Sequence, residues 1–398
     1  MKKTVNTSHV RFINLRAVLD AIYHQESISK AELARMLNMS KPSMADNVTD
    51  LLEIGIIREI GEGACGKGGG RKPTLLSFCD DFKYIIAMDF HYHHSFFALS
   101  NLKGKVLNEF TIHQTPMSNF RAWTQMCVNA VSTLLSAQNI TSQDLAAIAV
   151  SAPGILNTKE DQYIISSKFG EFNVAYLEKE LKQAFQAPVL IKNSTNAAAL
   201  GEFYYGSGQN CENLLYVSCG QGVGSGLILR GKLYEGSHLA AGEFGFFMTP
   251  DNLESKTGGR LEDRISIDSI LDAINSGLEA EQAVSGQRRE RDRVSFPAMI
   301  ERWKSKDPYI QPFVDKICLE LGCAVTSLQS FFDCQLIIIG GEYLAFAEQM
   351  IPEINRLVQS CCPIPVPVVA ASLGDNGTVL GLIATCREFY FKNICSRE

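Results

Sequence analysis

The sequence predicts an α/β protein with an N-terminal winged helix-turn-helix followed by a larger, two-lobed body. Three observations carry this expectation. Residues 26–80 place two short helical stripes around a tight turn, then a strand, then a basic glycine-rich tail. From Tyr84 the apolar period changes from helical to alternating, which marks strands. The meander that starts there recurs from Asn213, as an internal repeat.

In the head, Ile28, Leu33, Met36 and Leu37 suit one helix, and Met44, Val48, Leu51 and Leu52 suit a second. Asn38-Met39 turns between them, Ser40 can cap the second helix, and Pro42 is tolerated in its first turn. Gly55 stops that helix, and Ile56 to Ile60 begin a strand. Two helices joined so closely set the second where it can lie in a DNA major groove. An ordinary helical hairpin is the alternative.

The stripe of Met44, Val48 and Leu51 leaves Lys41, Ser43, Asn47 and Asp50 facing outward. Ser40, Lys41, Ser43 and Asn47 are therefore the expected DNA contacts of this helix. Asn can read adenine through two hydrogen bonds, and Lys41 near the helix start can reach a phosphate. Asp46 and Asp50 oppose phosphate and suit only a cytosine amine. In Gly68-Gly69-Gly70-Arg71-Lys72-Pro73 the glycines remove bulk, so Arg71 and Lys72 can enter a narrow minor groove. The same composition suits a flexible linker, and one segment can be both.

The 398 residues suffice for two or three domains with sizeable cores. Residues 1–80 hold 11 Lys and Arg against 9 Asp and Glu, a surplus of two, so the remaining 318 carry −8 of the total −6. A slightly basic head on an acidic body suits DNA binding at one end. No apolar run is long enough to span a bilayer, and Met-Lys-Lys lacks a following signal-peptide core, so a cytoplasmic location without a membrane partner is expected. The twelve cysteines are scattered without a CxxC pair, as reduced thiols are.

The first meander comprises Tyr84–Asp89, Ser95–Leu99 and Val106–Phe110; the second comprises Asn213–Ser218, Ser225–Leu229 and Lys232–Tyr234. Further buried strands are expected at Leu145–Ser151, Val189–Lys192 and Gln335–Gly340. Two meanders with crossover helices suggest two lobes facing a cleft, where a small molecule can bind.

Five landmarks follow in order: Ala152-Pro153-Gly154, the run Asn193 to Glu202, Gly220-Gln221-Gly222-Val223-Gly224-Ser225-Gly226, Gly242-Glu243-Phe244-Gly245 and Ile339-Gly340-Gly341-Glu342. From about Asn6 to Phe389 the chain resembles the ROK family (repressor, open reading frame, kinase). The resemblance implies an actin-like, ribonuclease H-like ATPase fold behind the DNA-binding head. The expected domains are 1–80 for the head with its linker and 81–398 for the body, with lobes of about 81–196 and 197–398.

Kinases of this family use the Asp of an Asn-Asp pair as base, whereas here the pair reads Asn193-Ser194. Serine does not serve as that base at neutral pH without a helper. The first phosphate loop reads Asp89-Phe90-His91-Tyr92-His93 in place of D-x-G-x-T, and Gln221 replaces the second loop's threonine. The resemblance also implies a structural zinc, whose ligand positions here hold Phe246, Leu253, Ser255 and Arg260. None of the four binds zinc in the usual way. His91, His93 and His94 form a separate cluster, read as ordinary surface or core histidines rather than a metal site. No catalytic residue, metal or cofactor is therefore expected.

Asn193, Glu243 and Glu262 match family residues that hydrogen-bond sugar hydroxyls, with Ser194 beside them as a ligand-site candidate. The alternative for these residues is capping or loop-fixing. The expected function is a transcriptional regulator, a repressor of carbohydrate-use genes, binding a double-stranded operator as a homodimer or higher homo-oligomer. Its effector would be a sugar or a sugar phosphate. The rivals are a sugar kinase with a fused head and a protein-docking regulator without a small ligand.

Overall fold

A computed structural model of the chain describes residues 7–63, 72–91, 94–113, 119–152, 154–157, 162–164, 173–248, 259–285 and 293–396. The chain divides into two compact units. One is Met1–Val150 with Glu171–Ile191 and Ile383–Glu398; the other is Ser151–Gly170 with Lys192–Leu382.

The first unit opens with α1 (Thr7–Tyr23), β1 (Ile28–Ser29), α2 (Lys30–Met36), α3 (Lys41–Ile54), β2 (Ile57–Glu62) and β3 (Thr74–Phe78). The Ser29 hydroxyl and Glu32 cap α2 reciprocally, and Ser40 caps α3 with Pro42 in its first turn. Helix α3 stops at Gly55, whose φ of 84° lies in the left-handed region that glycine enters without strain. Val18, Leu19, Ile22, Leu33, Val48, Leu51 and Ile56 are fully buried. Each such side chain contributes roughly 1.5–3 kcal/mol by leaving water.

Two details of the head differ from the sequence expectation. Ile28 precedes α2 and pairs with Leu76 in a three-stranded antiparallel sheet of order β1-β3-β2. Met36 is 55% exposed, because α2 ends there and leaves it outside the packed stripe. Helix α1 shows no clean stripe: Val10 and Ile13 are exposed on the same helix that buries Leu15, Val18, Leu19 and Ile22.

The same unit continues with β4 (Tyr84–Phe90), β5 (Ser95–Asn101), β6 (Val106–Ile112), α4 (Phe120–Ala137) and β7 (Leu145–Ala152). After a small hairpin of β8 (Ile155–Asn157) and β9 (Gln162–Ile164) come α5 (Val174–Phe185) and β10 (Val189–Asn193). The sheet order is β10-β7-β4-β5-β6, with β4 and β7 parallel. Trp123, Cys127, Val131 and Leu134 form the buried stripe of α4.

The second unit holds α6 (Ser194–Tyr205), β11 (Leu214–Cys219), β12 (Val223–Leu229), β13 (Lys232–Leu233), α7 (Leu261–Ile265), α8 (Ile267–Ser285) and α9 (Phe296–Lys304). It continues through α10 (Gln311–Phe332), β14 (Leu336–Gly340), α11 (Ala347–Cys361), β15 (Val368–Ala370) and the start of α12 (Asn376–Cys395). The sheet order is β13-β12-β11-β14-β15. Strands β11 and β14 pair in parallel while β11 and β12 pair antiparallel, repeating the β7-β4-β5 arrangement. Alternation sorts the faces: Leu215, Val217, Ile337 and Ile339 enter one core, while Leu214, Tyr216 and Ile338 pack with Ala198 and Ala199 of α6.

Helix α12 starts against α6 at backbone distance. A Cβ on Gly201 would lie 2.0 Å from the Gly377 carbonyl oxygen, and one on Gly381 would lie 1.7 Å from that of Ala197. Its C-terminal part belongs to the first unit. There Tyr23 of α1 is flanked by Arg387, with Cζ 4.8 Å from the ring centroid, and Lys103, with Nζ at 4.5 Å. Phe78 and Phe391 meet the same ring edge-on. Among the described residues, no helix is long and apolar enough to cross a membrane.

Candidate functional site

On α3 the exposed positions are Lys41, Pro42, Ala45, Asp46, Thr49 and Glu53. Ser40 accepts the Ser43 amide at 3.4 Å, and Lys41 begins the helix beside it. Asn47 corrects the expectation of an outward base reader. It is 6% exposed, and its Nδ2 donates to the Ser43 carbonyl at 2.7 Å. At 100° per residue, position 47 falls only about 70° from the centre of the Met44-Val48-Leu51 stripe, so it lies on the flank of the buried face. Ala45 and Thr49 are the better-placed residues missed by the sequence reading, and both side chains suit a thymine methyl.

Carboxylates already hold several cations of the head. Arg11 pairs with Asp50 at 2.8 Å, and Lys72 lies 3.8 Å from Glu62. Both pairs are largely exposed and therefore weak enough to exchange for a phosphate partner. Arg71 falls outside the described residues.

In the second unit, the start of α6, the β11–β12 loop and the turn after Gly242 supply the ligand-site candidates. Asn193 caps α6: its Oδ1 accepts the amides of Thr195 at 2.9 Å and Asn196 at 3.1 Å, while Nδ2 donates to Gly154. Ser194 is the first residue of that helix. Glu262, in the first turn of α7, accepts the Val223 amide at 2.9 Å. Asn193 and Glu262 thus hold parts of the chain itself in place. Asn196 is 4% exposed, and its Oδ1 accepts no hydrogen bond from the described residues. A hydroxyl or an ordered water satisfies such an acceptor.

Glu243 precedes the single turn Phe244–Phe246. Burial pushes its carboxyl pKa up, and the neighbouring Glu262 adds to the shift. Gly242, with φ of 89°, brings this segment so close to β12 that a Cβ there would lie 2.2 Å from the Ser225 carbonyl oxygen. Ser225 donates to the Gly242 carbonyl from its amide and its hydroxyl, at 2.8 and 3.0 Å.

In the first unit, Asp89 is buried at the end of β4 and pairs with His91 Nε2 at 2.8 Å. His91 stacks on His94 with ring centroids 4.6 Å apart. His91 lies beyond the strand, and His93 is outside the described residues. The zinc implied by the resemblance does not fit the residues present. Arg260 stacks on Phe246 at 5.1 Å, and neither side chain offers a zinc donor. Leu253 and Ser255 fall outside the described residues. Among the described residues, no group of three or more His, Cys, Asp and Glu is arranged to hold a metal ion.

A helix-turn-helix with a two-stranded wing, joined to a duplicated α/β body of kinase-like topology, defines a regulator-type chain. The sequence matches the family model for the ROK family over residues 85–388 and that for winged helix-turn-helix DNA-binding over residues 12–58. The chain belongs to the ROK family. It is 25% identical over 390 residues to the xylose repressor of Caldicellulosiruptor bescii, covering 95% of this chain and 96% of that one. Among solved structures, a ROK family transcriptional regulator homologous to the E. coli Mlc protein matches with a TM-score of 0.79, 21% identity and coverage of 97% and 98%. A ROK family glucokinase from Streptomyces griseus, in complex with glucose and AMPPNP, matches with a TM-score of 0.63, 22% identity and coverage of 77% and 99%. These two likenesses are likenesses of fold.

Proposed function

We propose that the chain is a sugar-responsive transcriptional repressor of carbohydrate-use genes, acting in the cytoplasm as a homodimer on a double-stranded operator. The kinase-like body serves as a ligand sensor without phosphoryl-transfer activity. Its likeness to a named xylose repressor along almost the whole chain supports the class of effector. The observation that carries the loss of catalysis is Ser194. At the position where the resemblance places the base stands a hydroxyl on the first residue of α6. A serine hydroxyl needs its own base before it can take a proton.

On this reading the DNA contacts come from Ser40, Lys41 and Ser43 on the recognition helix and from Arg71 and Lys72 beyond the wing. Two heads on a two-fold axis would read two half-sites, which multiplies the modest specificity of one. Asn193, Ser194, Glu243 and Glu262 hold the sugar, with the carboxylates accepting from its hydroxyls. Binding shifts the population of conformers that hold the heads in register.

The test combines two assays on the purified chain. A thermal-shift panel of sugars and sugar phosphates should give at least one hit, because a ligand of the native state raises its melting temperature. A coupled assay with ATP and each hit should give no turnover above background. Steady phosphorylation would make the chain a kinase with a regulatory head. A panel without any hit would make the body a docking platform.

A further inference from the structure

The kinase resemblance implies a nucleotide whose phosphates rest on the glycine-rich loop between β11 and β12. The loop in this chain does not fit one. The Gly220 amide donates to the Gly222 carbonyl at 3.0 Å, and the Val223 amide donates to Glu262 at 2.9 Å. Two of the backbone donors that would cradle a phosphate are thus spent inside the protein.

The space over Gly220 is filled by a carboxylate of the chain itself. A Cβ built on Gly220 would lie 1.8 Å from Glu342 Oε2 and 2.7 Å from Glu342 Cδ. The Glu342 backbone is firmly seated. Tyr343 is fully buried, and its hydroxyl donates to the Ile265 carbonyl at 2.7 Å. Gly341, at φ of 87°, lies so close to β11 that a Cβ would stand 2.5 Å from the Cys219 carbonyl oxygen.

Among the described residues, three carboxylates stand around the loop. Glu342 lies at Gly220, Glu262 is 3.4 Å from a Cβ at Gly222, and Glu243, whose pKa burial raises first, also feels the Glu262 charge. Three described cations of this unit already hold carboxylate partners. Lys192 pairs with Glu235 at 2.7 Å, Arg264 grips Glu320 through two 2.7 Å bonds, and Arg260 pairs with Asp263. A phosphate here would meet like charges at short range.

We propose that Glu342 is a built-in anion that closes the β11–β12 loop, so that the body takes an unphosphorylated, uncharged polyhydroxyl ligand and excludes phosphate esters and nucleotides. The inference rests on the sensor reading of the same site. The Glu342 carboxylate lies against Gly220, where a phosphate would have to approach, while Glu243, Glu262 and Asn193 remain suited to hydroxyl donors and acceptors.

The experiment is calorimetric titration of the full chain with inorganic pyrophosphate, and with each sugar of the panel as free sugar and as phosphate ester. The wild-type chain should bind pyrophosphate no tighter than about 1 mM. Glu342→Gln removes the charge, and Glu342→Ala removes charge and bulk. Both should bind pyrophosphate at least about tenfold more tightly than wild type, with Glu342→Ala ahead. Any sugar that binds should do so about tenfold or more better than its ester. Tight pyrophosphate binding by wild type, no gain in either variant, or preference for an ester would overturn the proposal. A panel in which neither sugars nor esters bind would overturn the sensor reading instead, and the pyrophosphate titrations would still decide this one.

Discussion

Arg387, near the end of the chain, donates from Nη1 to the hydroxyl of Tyr23 at 2.8 Å and lies over the same ring. The pair ties α1 of the head to α12. Glu388, the next residue, binds Arg16 two turns earlier on α1, at 2.5 Å. Arg387 is only 3% exposed, so its charge depends on these contacts for compensation.

Breaking the pair should therefore be costly. Tyr23→Phe removes one acceptor of the guanidinium, which keeps Glu388 at 3.4 Å, and should cost about 1 kcal/mol. Arg387→Met removes the charge and the stack and should cost about 2–4 kcal/mol. Because the residues touch, the double variant should cost less than the two single costs together. Urea denaturation of the three variants measures this, and strictly additive costs would show that the two residues act separately.

Lys41 and Asn47 should separate in their effects on the head. Lys41→Ala should weaken operator binding and make its salt dependence shallower by about one counterion per head. Asn47→Ala should instead destabilise the head by about 1 kcal/mol, through the lost bond to Ser43, and leave base preference unchanged. Relaxed preference at one base pair with unaltered stability would restore Asn47 as a reader.

Glu243 gives a pH dependence whose sign follows from its raised pKa. The folded chain holds this proton more tightly than the unfolded chain does. Its contribution is favourable below the ordinary carboxylate pKa and is lost as pH rises through the raised value. Glu243→Gln removes that penalty, so it should raise the melting temperature at pH 8 and not at pH 4. The same variant should respond less to any sugar, having lost the charged acceptor. A variant that melts lower at pH 8 and still binds the sugar normally would mark Glu243 as scaffold.

Much of this was legible in the chain because the signals are local. The turn at Asn38-Met39, the cap at Ser40 and the stop at Gly55 each act within a few residues, and α3 forms as they indicate. The two meanders appear as β4–β6 and β11–β13, since alternation and a turn suffice to pair neighbouring strands. What escaped is non-local. Nothing near Tyr23 announces Arg387, and nothing in Ile339-Gly340-Gly341-Glu342 shows that the glutamate will cover Gly220. Asn47 was misplaced for a different reason. A polar residue on the edge of an apolar stripe can turn inward when a backbone carbonyl, here that of Ser43, is within reach.

The loop-fixing role of Glu262 also has a measurable cost. Glu262→Ala strands the Val223 amide in a position where the residue is 5% exposed. The loss should amount to about 1–3 kcal/mol in denaturant unfolding. Glu262→Gln keeps an acceptor oxygen and should recover most of it, while still weakening ligand response. Equal stability of wild type and Glu262→Ala would mean that the amide finds another partner.

On the proposed function, one chain couples operator binding to sugar binding. Fluorescence anisotropy of a labelled operator, titrated with the full chain with and without a sugar identified by thermal shift, tests it most directly. A repressor of this kind should bind the operator in the nanomolar range without the sugar and lose about tenfold or more of that affinity when it is saturating. The same loss should be absent in Glu243→Gln at equal sugar concentration. Operator affinity that a saturating sugar leaves unchanged would contradict the account.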